Sequence, residues 1–310
     1  MLYKVYMSNN IIDDICLVTV TFNSEKVVAN FSECANNFKK VFIVDNASVD
    51  STEDLCKKYI PHAKFIKNDK NLGFSTANNI GFREALGTGL KYCIFVNPDC
   101  TIDVNSIRLL QRVFAIDERV AISNPRMMES GVILEDVLSW DYNKPYKNIS
   151  PKIISIKNFK EGDFFENVCM NGACFMVDVE KFDKIEAFSD DIFLFMEEDD
   201  ISLRVSGYGL KSVYVPSALA IHVGGGSTPK GVRIELRKLY NHKWSKLYLF
   251  NDHVGKFYRF LVALKLTVLA PLFFLVNILI FKKKNVKRWF AWWFAGLDGL
   301  FMTKFFRKFF

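Results

Sequence analysis

Cys16-Leu17-Val18-Thr19-Val20-Thr21 is an apolar, β-branched run that stops at Phe22-Asn23-Ser24-Glu25. Similar short runs recur at 41–44 (VFIV), 63–66 (AKFI), 92–96 (YCIFV) and 120–123 (VAIS). Their spacing of roughly 22–30 residues is that of strand–helix–strand crossovers. The intervening segments read as helices. Residues 105–116 place Ile107, Leu110, Val113 and Phe114 on one stripe. Ser51 precedes Glu53 and Asp54, the pattern of a capped helix start with acids in its first turn. Five such units predict an α/β fold, an open, mostly parallel sheet with helices on both faces. The pattern lapses from 125 to 165, which reads as a long connection, and returns at 168–177 and 211–215.

Ligands of such sheets bind beyond the C-terminal strand ends. Here those ends carry Thr21-Phe22-Asn23-Ser24-Glu25, then Asp45-Asn46-Ala47-Ser48-Val49-Asp50-Ser51, then Asn68-Asp69-Lys70-Asn71-Leu72-Gly73-Phe74, then Asn97-Pro98-Asp99. One such loop is a turn. Four on one edge predict a polar crevice. The first loop has no G-x-G-x-x-G, and no G-x-x-x-x-G-K-[ST] occurs, so neither a dinucleotide fingerprint nor a P-loop is present. A nucleotide held through base and ribose remains open, with Asp45 as acceptor and Asp99 as a carboxylate for a metal.

The charge is uneven. The chain of 310 residues carries formal charge +7, but residues 251–310 hold 11 Lys+Arg against Asp252 and Asp298, a balance of +9. The first 250 residues hold 30 basic and 32 acidic groups, a balance of −2. This argues against nucleic-acid binding, which needs a basic face on the folded body. Cys16, Cys34, Cys56, Cys93, Cys100, Cys169 and Cys174 are odd in number and show no C-x-x-C spacing, so buried free thiols in a reducing cytosol are expected. The first residues contain no signal-peptide-like apolar run.

Together VTVTFNSE (18–25), VDNASVDST (44–52), NLGFSTANNIGF (71–82), FVNPDC (95–100), NGACFMVDVEKF (171–182), DDIFLFMEEDDISLRVSGYG (190–209) and HVGGGST (222–228) resemble a family 2 glycosyltransferase with the GT-A fold, and most of all its rhamnosyltransferase-type branch. The resemblance spans about residues 14–230. It implies an inverting transfer of a sugar from a nucleoside-diphosphate sugar, with dTDP-L-rhamnose the donor of that branch and a UDP-hexose the alternative. The acceptor it implies is a hydroxyl of a lipid-linked or cell-envelope glycan. Donor binding then falls to Thr21, Phe22, Asn23, Glu25, Asp45, Asn46, Ser48, Asn71, Gly73, Phe74, Asn78, Asn97, Pro98 and Asp99.

The family's D-x-D motif is Asn97-Pro98-Asp99 here, so Asp99 is left with His222 to hold Mg2+ or Mn2+. Gly224-Gly225-Gly226-Ser227-Thr228 would form a lid over the diphosphate. The E-D-x-D-L-x-x-R pattern falls on Glu197-Glu198-Asp199-Asp200-Ile201-Ser202-Leu203-Arg204. That makes Glu198 the catalytic base, with Asp200 beside it in the catalytic set, and allows an Asp200–Arg204 pair at i,i+4. Asn171, Gly172, Glu197 and Arg204 are expected to border the sugar and acceptor. A nucleotidyltransferase would need a Gly-rich basic loop after the first strand, which Phe22-Asn23-Ser24-Glu25 does not supply. An inert nucleotide-sugar-binding subunit is the remaining rival.

The expected catalytic domain is 1–250 and the expected membrane-association region is 251–310. Residues 260–281 are long enough to span a bilayer but contain Lys265 and Pro271. Lys282-Lys283-Lys284, Lys287 and Arg288 stand next to Trp289, Trp292 and Trp293, a pattern suited to anionic headgroups. Peripheral attachment at the cytoplasmic face of the plasma membrane is the first expectation and a span the second. A homo-oligomer through the same helices stays open.

Overall fold

The computed structural model describes residues 11–129, 131–133, 136–139, 152–155, 159–160, 162–166, 170–223 and 231–309, with backbone only at 136–139 and 152–155. Cys169 and the expected 224–228 lid lie outside the described residues. The first half alternates β1 (Ile12–Thr21), α1 (Val28–Ala35), β2 (Phe38–Asp45), α2 (Thr52–Tyr59), β3 (Lys64–Lys67), α3 (Phe74–Leu86), β4 (Tyr92–Val96), β5 (Cys100–Ile102) and α4 (Val104–Ile116). There follow β6 (Val120–Glu129), β7 (Val132–Ile133), β8 (Asp136–Ser139), β9 (Lys152–Ser155), β10 (Phe165–Glu166), β11 (Cys174–Asp178), α5 (Val179–Lys184), α6 (Glu197–Gly207) and β12 (Lys211–His222). Three long helices close the chain: α7 (Val232–His253), α8 (Lys256–Leu279) and α9 (Lys283–Phe301).

The main sheet runs β10-β12-β6-β11-β4-β1-β2-β3. β4, β1, β2 and β3 are parallel, and β6 is parallel to β12. β11 lies antiparallel between β4 and β6. The sheet is therefore mixed, with the switch of direction at β11. Strands covered on both faces read as continuous apolar runs, which is why 16–21 and 41–44 were legible. One face packs Phe31 of α1, Cys56 of α2, and Ile107, Leu110 and Val113 of α4. The other packs Phe82 of α3, Phe182 of α5, and Ile201 and Val205 of α6. There Phe95 stacks on Phe175 at 4.8 Å and meets Phe188 edge-on at 5.4 Å.

Several expectations are corrected. β6 continues through Pro125 to Glu129, in register with β12. Pro125 breaks no pairing with β11, which meets β6 only at Ile122 and Ser123. The strand expected at 211–215 continues to His222 across a register shift after Val215. α2 begins after Ser51, but Ser51 makes no side-chain cap; Asp50 Oδ1 accepts from the Thr52 N–H and hydroxyl instead. The expected boundary near residue 250 falls inside α7. That helix packs both ways: Tyr240 and Trp244 bury against Ala291 and Ala295 of α9, while Tyr248 and His253 bond to Ser189 and Asp200 of the body.

Asp298, one of the two acids of the tail, organises this unit. It accepts from Tyr240 Oη at 2.5 Å, Thr303 Oγ1 at 2.5 Å, and the N–H groups of Phe305 and Phe306. Arg259 of α8 donates to the carbonyls of Gly299 and Leu300 at the end of α9. α8 runs unbroken through Pro271 and is long and apolar enough to cross a membrane by length and composition. Only 17% of its most apolar window is buried. Phe257, Leu264, Val268, Leu272 and Leu279 stand in the open.

Candidate active site

The ends of β1, β2 and β3 are tied into one rigid rim. Asp45 closes β2 fully buried and accepts from Thr21 Oγ1 (2.8 Å), Ser48 Oγ (2.5 Å) and the Ser48 N–H (2.9 Å). Asn46 carries the rim across to the third loop. Its Nδ2 donates to Asn71 Oδ1 and Gly73 O, while its Oδ1 accepts from the Leu72 N–H. Asn23 adopts φ 52°, a left-handed conformation that Asn tolerates, and its backbone and side chain bond to Ser48 and Val49. Glu25 accepts from the Ser51 N–H. Gly73 has φ 91°, and a β-carbon there would collide with the Phe193 carbonyl. The Phe74 N–H donates to that carbonyl at 2.8 Å, which joins the rim to the loop ahead of α6.

Asn97-Pro98-Asp99 forms the tight turn between β4 and β5, with the Cys100 N–H on the Asn97 carbonyl. The Asn97 N–H donates to Ala173 O at 2.9 Å, so the turn sits against Asn171-Gly172-Ala173. Gly172 in turn meets Glu198. A β-carbon on Gly172 would strike Glu198 Oε1, so only a glycine lets the carboxyl lie against this backbone. Burial pushes the Glu198 carboxyl up to about 7, the Asp199 charge adds to the rise, and the nearby backbone N–H groups of Glu198 and Gly172 oppose it. Asp99, nearly buried, lies 3.4 Å from His222 Nε2 at the end of β12. His222 Nδ1 faces Glu129 Oε1 at 3.6 Å. The bond to Asp99 pushes the imidazole up to about 9. Among the described residues no cluster of three His, Cys, Asp or Glu side chains is built to hold a metal ion.

The model of glycosyl transferase family 2 matches residues 16–186, more than half of the chain. The chain belongs to that family. The N-acetylglucosaminyl-diphospho-decaprenol L-rhamnosyltransferase of Mycobacterium tuberculosis is 23% identical over 266 residues, 78% of this chain and 86% of that protein. The dTDP-rhamnosyl transferase RfbF of Shigella flexneri is 26% identical over 78% of this chain and 81% of its own. The low-salt glycan biosynthesis hexosyltransferase Agl10 of Haloferax volcanii is 23% identical over 64% of this chain, which spans 63% of that relative, under two thirds of its length. Among solved structures, the mannosyltransferase PcManGT of Pyrobaculum calidifontis, in complex with GDP-Man and Mn2+, shares the fold with a TM-score of 0.52 at 12% identity, over 93% of this chain and 87% of its own.

In this family 2 glycosyltransferase the acidic run is divided between two environments. Phe195 and Met196, at φ 70° and 69°, turn the chain sharply into α6. Glu197 is buried, its Oε2 has no hydrogen-bond partner, and burial followed by the Glu198 charge raises its carboxyl well above the usual range. Asp200 faces away from Gly172 and Glu198. Its Oδ2 accepts from Arg204 Nη2 at 2.6 Å and its Oδ1 meets His253 Nε2 at 2.9 Å. Burial opposes its ionisation, but His253 and Arg204 outweigh that and hold the carboxyl below the usual range. Arg204 also donates to the Ile185 carbonyl. The expected pair forms. Both Asp200 oxygens are engaged, by Arg204 and His253, and Arg204 also reaches Ile185, so the pair ties α6 to its neighbours.

Asn78 is buried on α3, its Nδ2 on the Phe74 carbonyl one turn back. Its neighbour Asn79, which sequence reasoning did not single out, exchanges hydrogen bonds with Phe188 and donates to Asp190, locking α3 to the loop before α6. Asn124 was also missed. It is buried, donates to Val213 O, and accepts from the Asn171 N–H. Buried Asn inside an apolar strand was the available signal, since such a group needs partners. Nothing local marks His253, which lies 53 positions from Asp200.

Proposed function

We propose that this glycosyltransferase moves L-rhamnose from dTDP-L-rhamnose to a hydroxyl of a lipid-linked cell-envelope glycan, with inversion at the anomeric carbon. The rhamnosyl donor and the lipid-diphosphate acceptor are supported by the names of the mycobacterial and Shigella relatives. The single observation that carries the chemistry is the Gly172–Glu198 contact. It holds a carboxyl tuned to about 7 beside the turn that carries Asp99. A base near neutrality is suited to take a hydroxyl proton. Glu198 accepts that proton as the acceptor oxygen bonds to the anomeric carbon, and the bond to the donor diphosphate breaks on the opposite face. Asp45, its oxygens engaged by Thr21 and Ser48, fixes the rim against which the nucleotide would rest.

Asp99 and His222 fit a divalent ion as two converging oxygen and nitrogen donors, and the donor diphosphate supplies further oxygens. Mg2+ or Mn2+ bound by Asp99 and His222 would supply positive charge against the departing diphosphate. The exposed face of α8, with Lys282, Lys283 and Lys284 after it, supports attachment to the cytoplasmic membrane face. Glu198→Gln tests the reading: transfer falls to background while donor binding persists. Unchanged transfer removes Glu198 as the base. A panel of nucleotide sugars, scored by protection against thermal unfolding, identifies the donor.

A further inference from the structure

The C-terminal unit contains an apolar groove of about 600 Å³ between α7, α9 and the 3-10 turn Phe306–Phe309. Val232, Leu236, Phe290, Phe294, Phe306 and Phe309 line it. Val232 and Phe309 are 58% and 59% exposed, so the groove opens outward. Arginines accompany its lining residues. Arg233 belongs to the groove wall, Arg237 follows one turn along α7, and Arg307 lies inside the 3-10 turn. Arg237 and Arg307 both stand over the Phe193 ring, at 5.9 and 5.0 Å from its centroid.

Burial and then the Arg233 charge hold Arg237 below its usual range, and burial together with the Arg237 charge does the same for Arg307. Neither Arg237 nor Arg307 forms an ion pair among the described residues. The acids that face Arg307 are already engaged, Asp191 by Lys304 at 2.7 Å and Asp298 by Tyr240 and Thr303. Arg237 Nε is buried with no hydrogen-bond partner. Arg237 and Arg307 thus stand without an ion pair among the described residues, and forked guanidinium groups match phosphate oxygens. Its position is specific. Phe193 holds the Phe74 N–H on its carbonyl and leads within five residues to Glu198.

We infer that this groove and its arginines form the acceptor-lipid site: the diphosphate of a long-chain lipid-linked sugar rests on Arg237 and Arg307, and its hydrocarbon chain lies in the groove. This rests on the reading of a lipid-linked acceptor above, and it adds where the lipid is held. One axis then runs from the apolar chain through the diphosphate past Phe193, which leaves the acceptor sugar to reach Glu198. An anion alone would need no groove, and a bilayer surface alone would need no arginines gathered on a ring beside the catalytic loop.

The test uses the full chain and three probes, farnesyl diphosphate, inorganic diphosphate and farnesol, with binding read by calorimetry in the absence of divalent metal. Farnesyl diphosphate is expected to bind about tenfold or more tighter than either of the others. R237A/R307A should weaken it about tenfold or more, and R237K/R307K less. V232E should weaken farnesyl diphosphate but leave inorganic diphosphate unchanged. D99N should leave farnesyl diphosphate unchanged, and a loss confined to D99N would place the probe in the donor site and overturn the proposal. So would wild-type affinity in R237A/R307A with an intact melting transition. Binding to anionic vesicles that falls with R237A/R307A while farnesyl diphosphate binding does not would assign the arginines to the membrane surface and overturn it as well. Failure of Glu198→Gln to stop transfer would sink the catalytic reading while leaving these outcomes as they are.

Discussion

Gly172 and Glu198 occupy each other's space: Glu198 Oε1 fills the volume that a β-carbon on Gly172 would take, and the Gly172 backbone opposes the rise that burial gives the carboxyl. The glycine thus aims the carboxyl and tunes it. Two segments 26 residues apart, neither informative alone, become one device. Gly172→Ala should force Glu198 out of this position. We expect a loss of transfer of about a hundredfold or more, with a stability cost of about 1–3 kcal/mol for overpacking. Steady-state kinetics and thermal melts check both, and wild-type turnover in G172A would refute the arrangement.

The same carboxyl sets a pH dependence. In the proposed reaction its deprotonated form is the active one, and burial raises it to about 7. kcat/KM should therefore fall about tenfold per pH unit below about 7 and level off above it. A pH–rate profile flat from pH 5 to 8 would show that Glu198 does not limit transfer.

Asp200 makes the opposite prediction. It touches no substrate in this reading, but it joins α6 to His253 of α7 and, through Arg204, to Ile185. Asp200→Asn leaves a mostly buried guanidinium short of a charge partner and should cost about 2–3 kcal/mol. Because the folded carboxyl lies below its unfolded range of about 3.9, this stabilisation is present above that range and fades as pH falls through the lowered value. The difference in melting temperature between wild type and D200N should narrow in acid; an equal gap at every pH would contradict the ionised clamp.

Asp99 should show itself in metal demand. Asp99→Asn is expected to raise the Mn2+ concentration for half-maximal transfer by about tenfold or more, at least what losing an outer-sphere partner costs. Unchanged Mn2+ titration in D99N, with the donor saturating, would remove Asp99 from the ion site.

Membrane attachment is best tested without truncation, since ending the chain near residue 250 would strip Tyr240 and Trp244 of their α9 partners. Val268 and Leu272 are each 56% exposed on α8. V268E/L272E should keep the melting transition and lose most co-sedimentation with anionic vesicles. Full retention on vesicles would move the attachment elsewhere.

The sequence by itself determined the alternating strands and helices, because doubly covered strands must be apolar throughout and their ends must be polar. It placed Asp45, Asn46, Gly73 and Asp99 at one sheet edge for the same reason, and it separated the near-neutral body from the +9 tail. It also paired Asp200 with Arg204, since a helix brings i and i+4 together. It did not divide the acidic run. Glu198 and Asp200 look alike in the chain, and only packing turns one toward Gly172 and the other toward His253. Nor did it show that α7 packs against α9, or that Arg237 and Arg307, 70 positions apart, share the ring of Phe193. Local propensity acts over a few residues. The roles of these charges were decided by long-range burial, which sets both the neighbours a carboxyl or guanidinium meets and the cost of its ionisation.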